Sequence, residues 1–172
     1  KIARFPFVVA MAYTRDETNH FADILLPDAT DLEGLQLIRI GGTKYVEQFW
    51  DQQGFALRQP AVAMRGEARD FTDISTELAR RCGILDRYNA AINKGAGGVP
   101  LKSEHGDFSL DPHAAHSREQ IWDAVCRAAS AELTGGVETH GLEWWKANGL
   151  RTRPFPVSDW YLSPTLAAQG LR

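Results

Sequence analysis

The sequence predicts an α/β fold that opens on a short parallel βαβ unit and continues into a mostly helical region. Three observations carry this expectation. Phe7 to Ala12 (FVVAMA) is a continuous apolar run, as a strand covered on both faces requires. A second apolar run, Ile24 to Pro27, follows Tyr13 to Asp23. Those eleven residues are close to the minimum of roughly 10–12 for a parallel crossover. Further on, apolar residues recur at helical spacing, with capping signals before them and glycines after them.

Element by element, Asp16 to Glu33 (DETNHFADILLPDATDLE) compresses a short polar helix, a buried strand, a proline stop and an acidic loop into eighteen residues. Together with Phe7 to Ala12 it makes a partial, Rossmann-like parallel sheet. In such sheets ligands gather at the carboxyl ends of the strands, here Ala12 to Thr14 and Pro27 to Thr30. Leu35 to Gln53 is ambiguous: Gly41-Gly42 separates Leu37 to Ile40 from Tyr45 to Trp50, which reads as two short strands or as a packed loop. Phe55 to Ala63 is extended, because Pro60 biases Gln59 away from helix. Asp70 is an N-cap for a helix whose Ile74, Leu78 and Cys82 recur every four residues, with Gly83 at its end. Arg80 and Arg81 suit the dipole of its last turn. Asn89 to Asp111 holds the glycine-rich NKGAGGVP and lacks periodicity, so it reads as a functional or mobile loop. Ser117 and Gln120 form a capping box for a helix through Leu133, with an apolar face from Ile121 to Leu133 and a stop at Gly135-Gly136. A further helix, Thr139 to Asn148, carries Trp144-Trp145. The proline- and aromatic-rich tail beyond it reads as extended packing. The expected division is a partial α/β domain over 1–83 and a helical insertion or extension over 84–172.

Composition narrows the function classes. The 172 residues are 44% hydrophobic and 24% charged, an ordinary globular balance. A net charge of −3 gives no electrostatic case for nucleic acid. No apolar run approaches the roughly 20 residues of a membrane helix. Cys82 and Cys126 have no zinc spacing and fall on core-side helix positions, as buried free thiols do. Two strands cannot make a full sheet, and the first begins almost at Lys1. The expectation is therefore an internal piece of a larger protein.

Candidate chemistry is sparse. His113 and His116 flank Asp111 at a ligand-like spacing, but they precede the Ser117 cap and lack a third ligand, so solvated histidines are expected. His20 lies near Asp16, Glu17 and Asp23, yet no nucleophile stands at a useful spacing and there is no GxSxG turn. Gly95 to Gly98 lacks the GK[ST] ending of a phosphate loop and reads as a surface loop. Arg58 and Arg65 to Arg69 place cations near the sheet, for an anionic ligand or for surface ion pairs. Of Trp144 and Trp145, one buried and one half-exposed is expected.

The order of these segments carries more than any one of them. A strand, then D-E-T-x-x-x-A-D-I-L-L-P-D-A-T-x-L-E, then L-R-Q-P-A-V, G-E-A-R and a helix ending E-L-A-R-R-C-G resembles the catalytic subunit of the molybdopterin oxidoreductase family. That family includes formate dehydrogenase, nitrate reductase and dimethyl sulfoxide reductase. The resemblance is specific from Phe7 to Gly83, is looser over Trp160 to Arg172, and matches nothing in Asn89 to Gly149. Gly41-Gly42 and LRQPAV resemble the thiosulfate/polysulfide reductase branch.

The resemblance implies a larger enzyme holding two molybdopterin guanine dinucleotides around molybdenum or tungsten, usually with an iron–sulfur cluster. Its metal ligand and cluster cysteines lie upstream of this stretch, and its last pterin-binding domain lies downstream. No catalytic residue and no metal ligand is expected here, and the isolated chain is expected to be inactive and to retain no cofactor. By the same resemblance, cofactor contacts match Met11 and Ala12 at the first strand end, Glu33 with Gly34 after it, and Asp70 before the GEA-linked helix. The family often has a polar pair where Met11-Ala12 stands, and often Lys where Gly34 stands, which leaves backbone contact at Met11 and Ala12. Asn19 replaces a usual alanine and is expected to cap or solvate the short helix. The implied partners are the remainder of the catalytic subunit, an iron–sulfur electron-transfer subunit and, in some members, a membrane subunit. The competing expectation is a non-catalytic docking module that binds a partner subunit through Arg87 to Leu150, with the tryptophans as anchors. A stand-alone flavodoxin-like nucleotide binder is weaker, having too few strands.

Overall fold

The computed structural model describes residues 2–41 and 52–155. Tyr45 to Trp50, read as a strand or part of a packed loop, and the tail from Pro156 onward lie outside them. The chain has mixed α and β content. Strands β1 (Val9–Ala12) and β2 (Ile24–Pro27) pair in parallel, with Val9 opposite Ile24 and Ala12 opposite Pro27. This is compatible with the predicted α/β class.

The crossover is smaller than a helix: a single 3-10 turn, Asn19–Phe21. Asn19 neither caps nor solvates that turn. It is buried, its Oδ1 accepts from the Asp16 N–H at 2.9 Å, and its Nδ2 donates to the Thr14 carbonyl at 2.8 Å, so it ties the loop to itself. The expected burial of both strands fails. Val9 is 46% exposed and Ile24 45%.

Strands β3 (Gln36–Gly41) and β4 (Gln52–Arg58) are antiparallel, with Leu37 opposite Leu57 and Arg39 opposite Phe55. The Leu37 to Ile40 half of the ambiguous segment is thus a strand. Helix α1 (Phe71–Arg81) is capped as predicted: the Asp70 carboxylate accepts from the Thr72 N–H at 2.9 Å. Cys82 at its end is exposed, against expectation, because the helix buries Ile74 and Ala79 and turns the Leu78–Cys82 side outward.

The glycine-rich segment is a packed structure rather than a loose loop. Helix α2 (Leu85–Ala91) runs into a widened turn, Ile92–Ala96, followed by a two-residue hairpin of β5 (Lys102–Ser103) and β6 (Gly106–Asp107). Its aperiodic sequence concealed four core residues, Ile92, Val99, Leu101 and Leu110. Two side-chain amides organise it, Asn89 buried and Asn93 partly buried. The Asn89 side chain donates to the carbonyls of Asp111, Pro112 and Ala114, and Asn93 bonds both the N–H and the carbonyl of Leu110. Gly97 sits where a Cβ would press to 2.9 Å from Val125, so this glycine serves close packing, while Gly98 stands in open space with φ 108°.

Helix α3 (Arg118–Thr134) has the predicted capping box at Ser117 and Gln120, and Gly135 ends it in the left-handed conformation at φ 64°. Its apolar side is the centre of the core, with Val125, Cys126 and Ala129 fully enclosed. Helix α4 (Leu142–Asn148) starts later than predicted, at Gly141, where the Asp123 carboxylate accepts from the Leu142 N–H at 2.7 Å. Trp145 is 0% exposed and Trp144 only partly buried, as expected of that pair.

The tail after Gly149 was expected to lack regular structure. Instead β7 (Leu150–Pro154) pairs with β4, giving a three-stranded antiparallel sheet ordered β3-β4-β7. Gly54 makes this possible, since any Cβ there would collide with the Arg151 carbonyl oxygen. Leu35, Leu37, Phe55 and Leu57 join the α3 and α4 side chains in one core, so it crosses the division expected at residues 83 and 84.

Candidate functional site

Where β1 and β2 end, the chain builds a small cleft. The Asp28 N–H donates to the Ala12 carbonyl at 3.2 Å, closing the parallel ladder, and Arg69 bridges onto Asp28 as the start of a third parallel strand. The loop from Asp28 to Gly34 then folds back on itself. The Thr30 carbonyl accepts from the N–H groups of Glu33 and Gly34 at 2.9 and 3.0 Å. Glu33 is buried and fully engaged. One carboxylate oxygen accepts from the Thr30 N–H and hydroxyl, both at 2.9 Å, and the other from the Arg65 N–H at 3.0 Å. These bonds, the Thr30 N–H foremost, hold its carboxyl below the ordinary glutamate value.

The cleft encloses about 250 Å³, and its walls include Tyr13, Asp28, Gly34, Arg58, Asp70 and Trp122. Asp70 is 5% exposed. Besides capping α1, it accepts from the Leu35 N–H at 3.0 Å and lies 3.6 Å from the Arg118 guanidinium. Gly34 sits between the walls: a Cβ there would make ordinary contact with the Arg58 Nη2 at 3.5 Å and the Asp70 carboxylate at 3.6 Å. The Arg58 guanidinium is held by Asp31 and by the Gln36 side chain, while its Nε is buried without a partner among the described residues. Burial pushes the Asp28 carboxyl up. Asp70 adds to that shift, and the Ala29 N–H and Arg58 oppose it. The cleft therefore juxtaposes carboxylate acceptors and a guanidinium donor beside three aromatic residues, Tyr13, Phe71 and Trp122.

Of the five expected contact positions, Gly34 and Asp70 meet in this cleft. Glu33 lies behind its wall and is spent on holding the loop. Met11 and Ala12 line a different depression of about 530 Å³ along the outer side of β1. Sequence reasoning missed Tyr13, Asp28 and Trp122. Asp28 had a signal, since it follows the proline that stops β2. Trp122 had none: it arrives on α3, where its indole N–H donates to the Thr72 hydroxyl at 3.3 Å.

The other candidates take structural roles. His113 is exposed and His116 partly buried, and among the described residues no group of His, Cys, Asp and Glu is arranged to hold a metal. The His116 ring lies 2.8 Å from the Asp111 carbonyl. His20 is exposed, edge-on to Phe21. Trp122 and Trp145 are core residues and so unavailable as docking anchors. Among the described residues no helix is long and apolar enough to cross a membrane. Compared with protein-family models, curated proteins and solved structures, the chain matches none.

Proposed function

We propose that this chain is an internal segment of the catalytic subunit of a molybdenum- or tungsten-dependent molybdopterin oxidoreductase. In that role it contributes one wall of a guanine dinucleotide pocket and has no turnover of its own. Within the family we assign it to the thiosulfate/polysulfide reductase branch. The particular protein whose text it most resembles is the large subunit of phenylacetyl-CoA:acceptor oxidoreductase.

One observation carries this reading beyond the sequence motif. Gly34 and Asp70, thirty-six positions apart (70 − 34), line one cleft at the carboxyl ends of two parallel strands, where α/β sheets receive nucleotides. The cleft is slightly below the roughly 300–1,000 Å³ of a complete ligand site, which suits one end of a long cofactor. A guanine edge carries an amino donor and a carbonyl acceptor. Asp70 and Asp28 are the acceptors and Arg58 the donor that would hold such an edge, while the dinucleotide when bound would bring the redox metal of the intact enzyme. The other walls, the iron–sulfur cluster and the electron-transfer partner belong to the remainder of that enzyme.

Calorimetric titration of the chain with GMP and AMP tests the cleft. The expected result is saturable binding of GMP, weakened in Asp28→Asn and stronger than that of AMP. GMP that fails to bind at millimolar concentration removes the cofactor-wall role. The wider assignment is tested at the gene: an in-frame continuation with a CxxC-type cluster motif upstream is expected, and a flanking sequence without one overturns it.

A further inference from the structure

Asp70 lines the cleft with acceptor positions still open. A carboxylate offers about four lone-pair positions on its two oxygens. Oδ1 accepts from the Thr72 N–H and Oδ2 from the Leu35 N–H, so each oxygen retains a lone pair. Because Asp70 is almost fully buried, its charge needs a nearby counter-charge. Arg118, the first residue of α3, supplies one. Its Nη1 lies 3.6 Å from the Asp70 Oδ2 and 3.8 Å from the Asp73 carboxylate, too far to hydrogen-bond either. That nitrogen is buried and has no hydrogen-bond partner among the described residues, while Glu119 holds Nη2 at 2.9 Å. The guanidinium thus neutralises Asp70 without occupying its remaining lone pairs. The Arg118 side chain is only 17% exposed, so solvent ions screen the pair weakly.

The neighbouring charges do not replace it. Arg58, on the opposite wall, is engaged by Asp31 and Gln36. Asp28 and Asp73 add negative charge: burial pushes both carboxyls up, and Asp70 adds to each shift. At Asp73, Arg118 opposes that shift more than Arg69 does, while Glu119 adds to it. Without the Arg118 guanidinium, Asp28, Asp70 and Asp73 would stand together with too little positive charge. Crowded carboxylates of this kind take up a proton instead.

Protonation decides which base edge the carboxyl group can hold. An ionised carboxylate only accepts, which matches the two adjacent donors of guanine, its ring N–H and its amino group. A protonated carboxyl presents a donor beside an acceptor, which matches the ring nitrogen and amino group of adenine. We propose that Arg118 is a positioning residue that sets the base specificity of the cleft. Acting through Asp70, it keeps that side chain an acceptor-only carboxylate, so that the cleft takes a guanine edge and rejects an adenine edge. This inference rests on the cofactor reading above. It comes from packing alone, since Arg118 lies in the stretch from Asn89 to Gly149 that the family resemblance does not reach.

Calorimetric titration of the chain with GMP and with AMP, from about pH 8 down to about pH 5.5, tests it. The phosphate titrates in that range in both nucleotides and so cancels in the ratio of their affinities. The wild-type preference for GMP should hold throughout. Loss of the guanidinium favours the protonated carboxyl, so in Arg118→Gln the preference should fall at least about tenfold as the pH drops. Arg118→Lys keeps the charge and should keep the preference. It also serves as the test if the glutamine variant does not fold, because a purely structural guanidinium would not be replaced by an ammonium. A wild type that binds GMP, with an Arg118→Gln variant of the same pH profile or a folded Arg118→Lys variant without the preference, overturns this inference alone. A wild type that binds neither nucleotide overturns the cofactor reading as well.

Discussion

Replacing Asp70 separates the two jobs its carboxylate performs. One oxygen accepts from the Thr72 N–H at 2.9 Å as the α1 cap, and the other from the buried Leu35 N–H at 3.0 Å. Losing an N-cap acceptor costs about 1 kcal/mol. Leaving the Leu35 N–H buried without an acceptor costs about 1–3 kcal/mol more. Asp70→Ala should therefore destabilise the fold by about 2–4 kcal/mol. Asp70→Ser keeps a capping oxygen but is too short to serve Leu35, which lies across the cleft, so it should lose only the second contribution of about 1–3 kcal/mol. Equilibrium urea unfolding followed by tryptophan fluorescence measures both, because Trp122 bonds Thr72 in the first turn of α1. Two results would refute the reasoning: an Asp70→Ala cost below about 1 kcal/mol, or a serine variant as unstable as the alanine one.

Two further outcomes follow from the same geometry. The Glu33 carboxyl should titrate below its ordinary value of 4.5, since its depressed pKa comes from hydrogen bonds made only in the folded chain. The stability it contributes is fully present above that value and is lost as pH falls through the lowered one. An NMR titration of the side-chain carboxyl that finds a midpoint at or above 4.5 contradicts the loop geometry. The cysteines should also differ in reactivity. Cys82 is exposed and should react with a thiol reagent in the native chain, whereas Cys126, enclosed and with its thiol pushed up to about 12 chiefly by burial, should react only after unfolding. Equal rates for the two would show that α3 does not seal the core.

Local chemistry made some elements legible. The Asp70 cap, the Ser117–Gln120 box and Gly135 are short-range signals, because the groups that satisfy a helix end sit within a few residues of it. The parallel pairing of β1 and β2 was legible for a similar reason, the length of the crossover. The burial of those strands was not, because it depends on what lies beside them rather than on their own apolar run. The strand at Leu150–Pro154 was equally hidden. Its reason to be extended is Gly54, nearly a hundred positions earlier, which lets two backbones approach. In the candidate site, glycine at 34 and an acid at 70 could be marked in sequence. That they meet with Asp28 and Arg58 beside Trp122 is a property of packing.

By itself the sequence determined the α/β class, the starts of α1 and α3 and the parallel opening. Each of these rests on residues close enough to interact along the chain. The tertiary structure decided which strand completes the antiparallel sheet, that the glycine-rich segment belongs to the core, and that Glu33 holds a loop while Asp70 faces a cleft. Those outcomes depend on contacts between residues far apart in sequence, where steric fit and hydrogen-bond partners are set by the fold as a whole. The exposure of β1 belongs to the same class: the apolar run announced a buried strand, and only the tertiary structure showed Val9 and Met11 exposed.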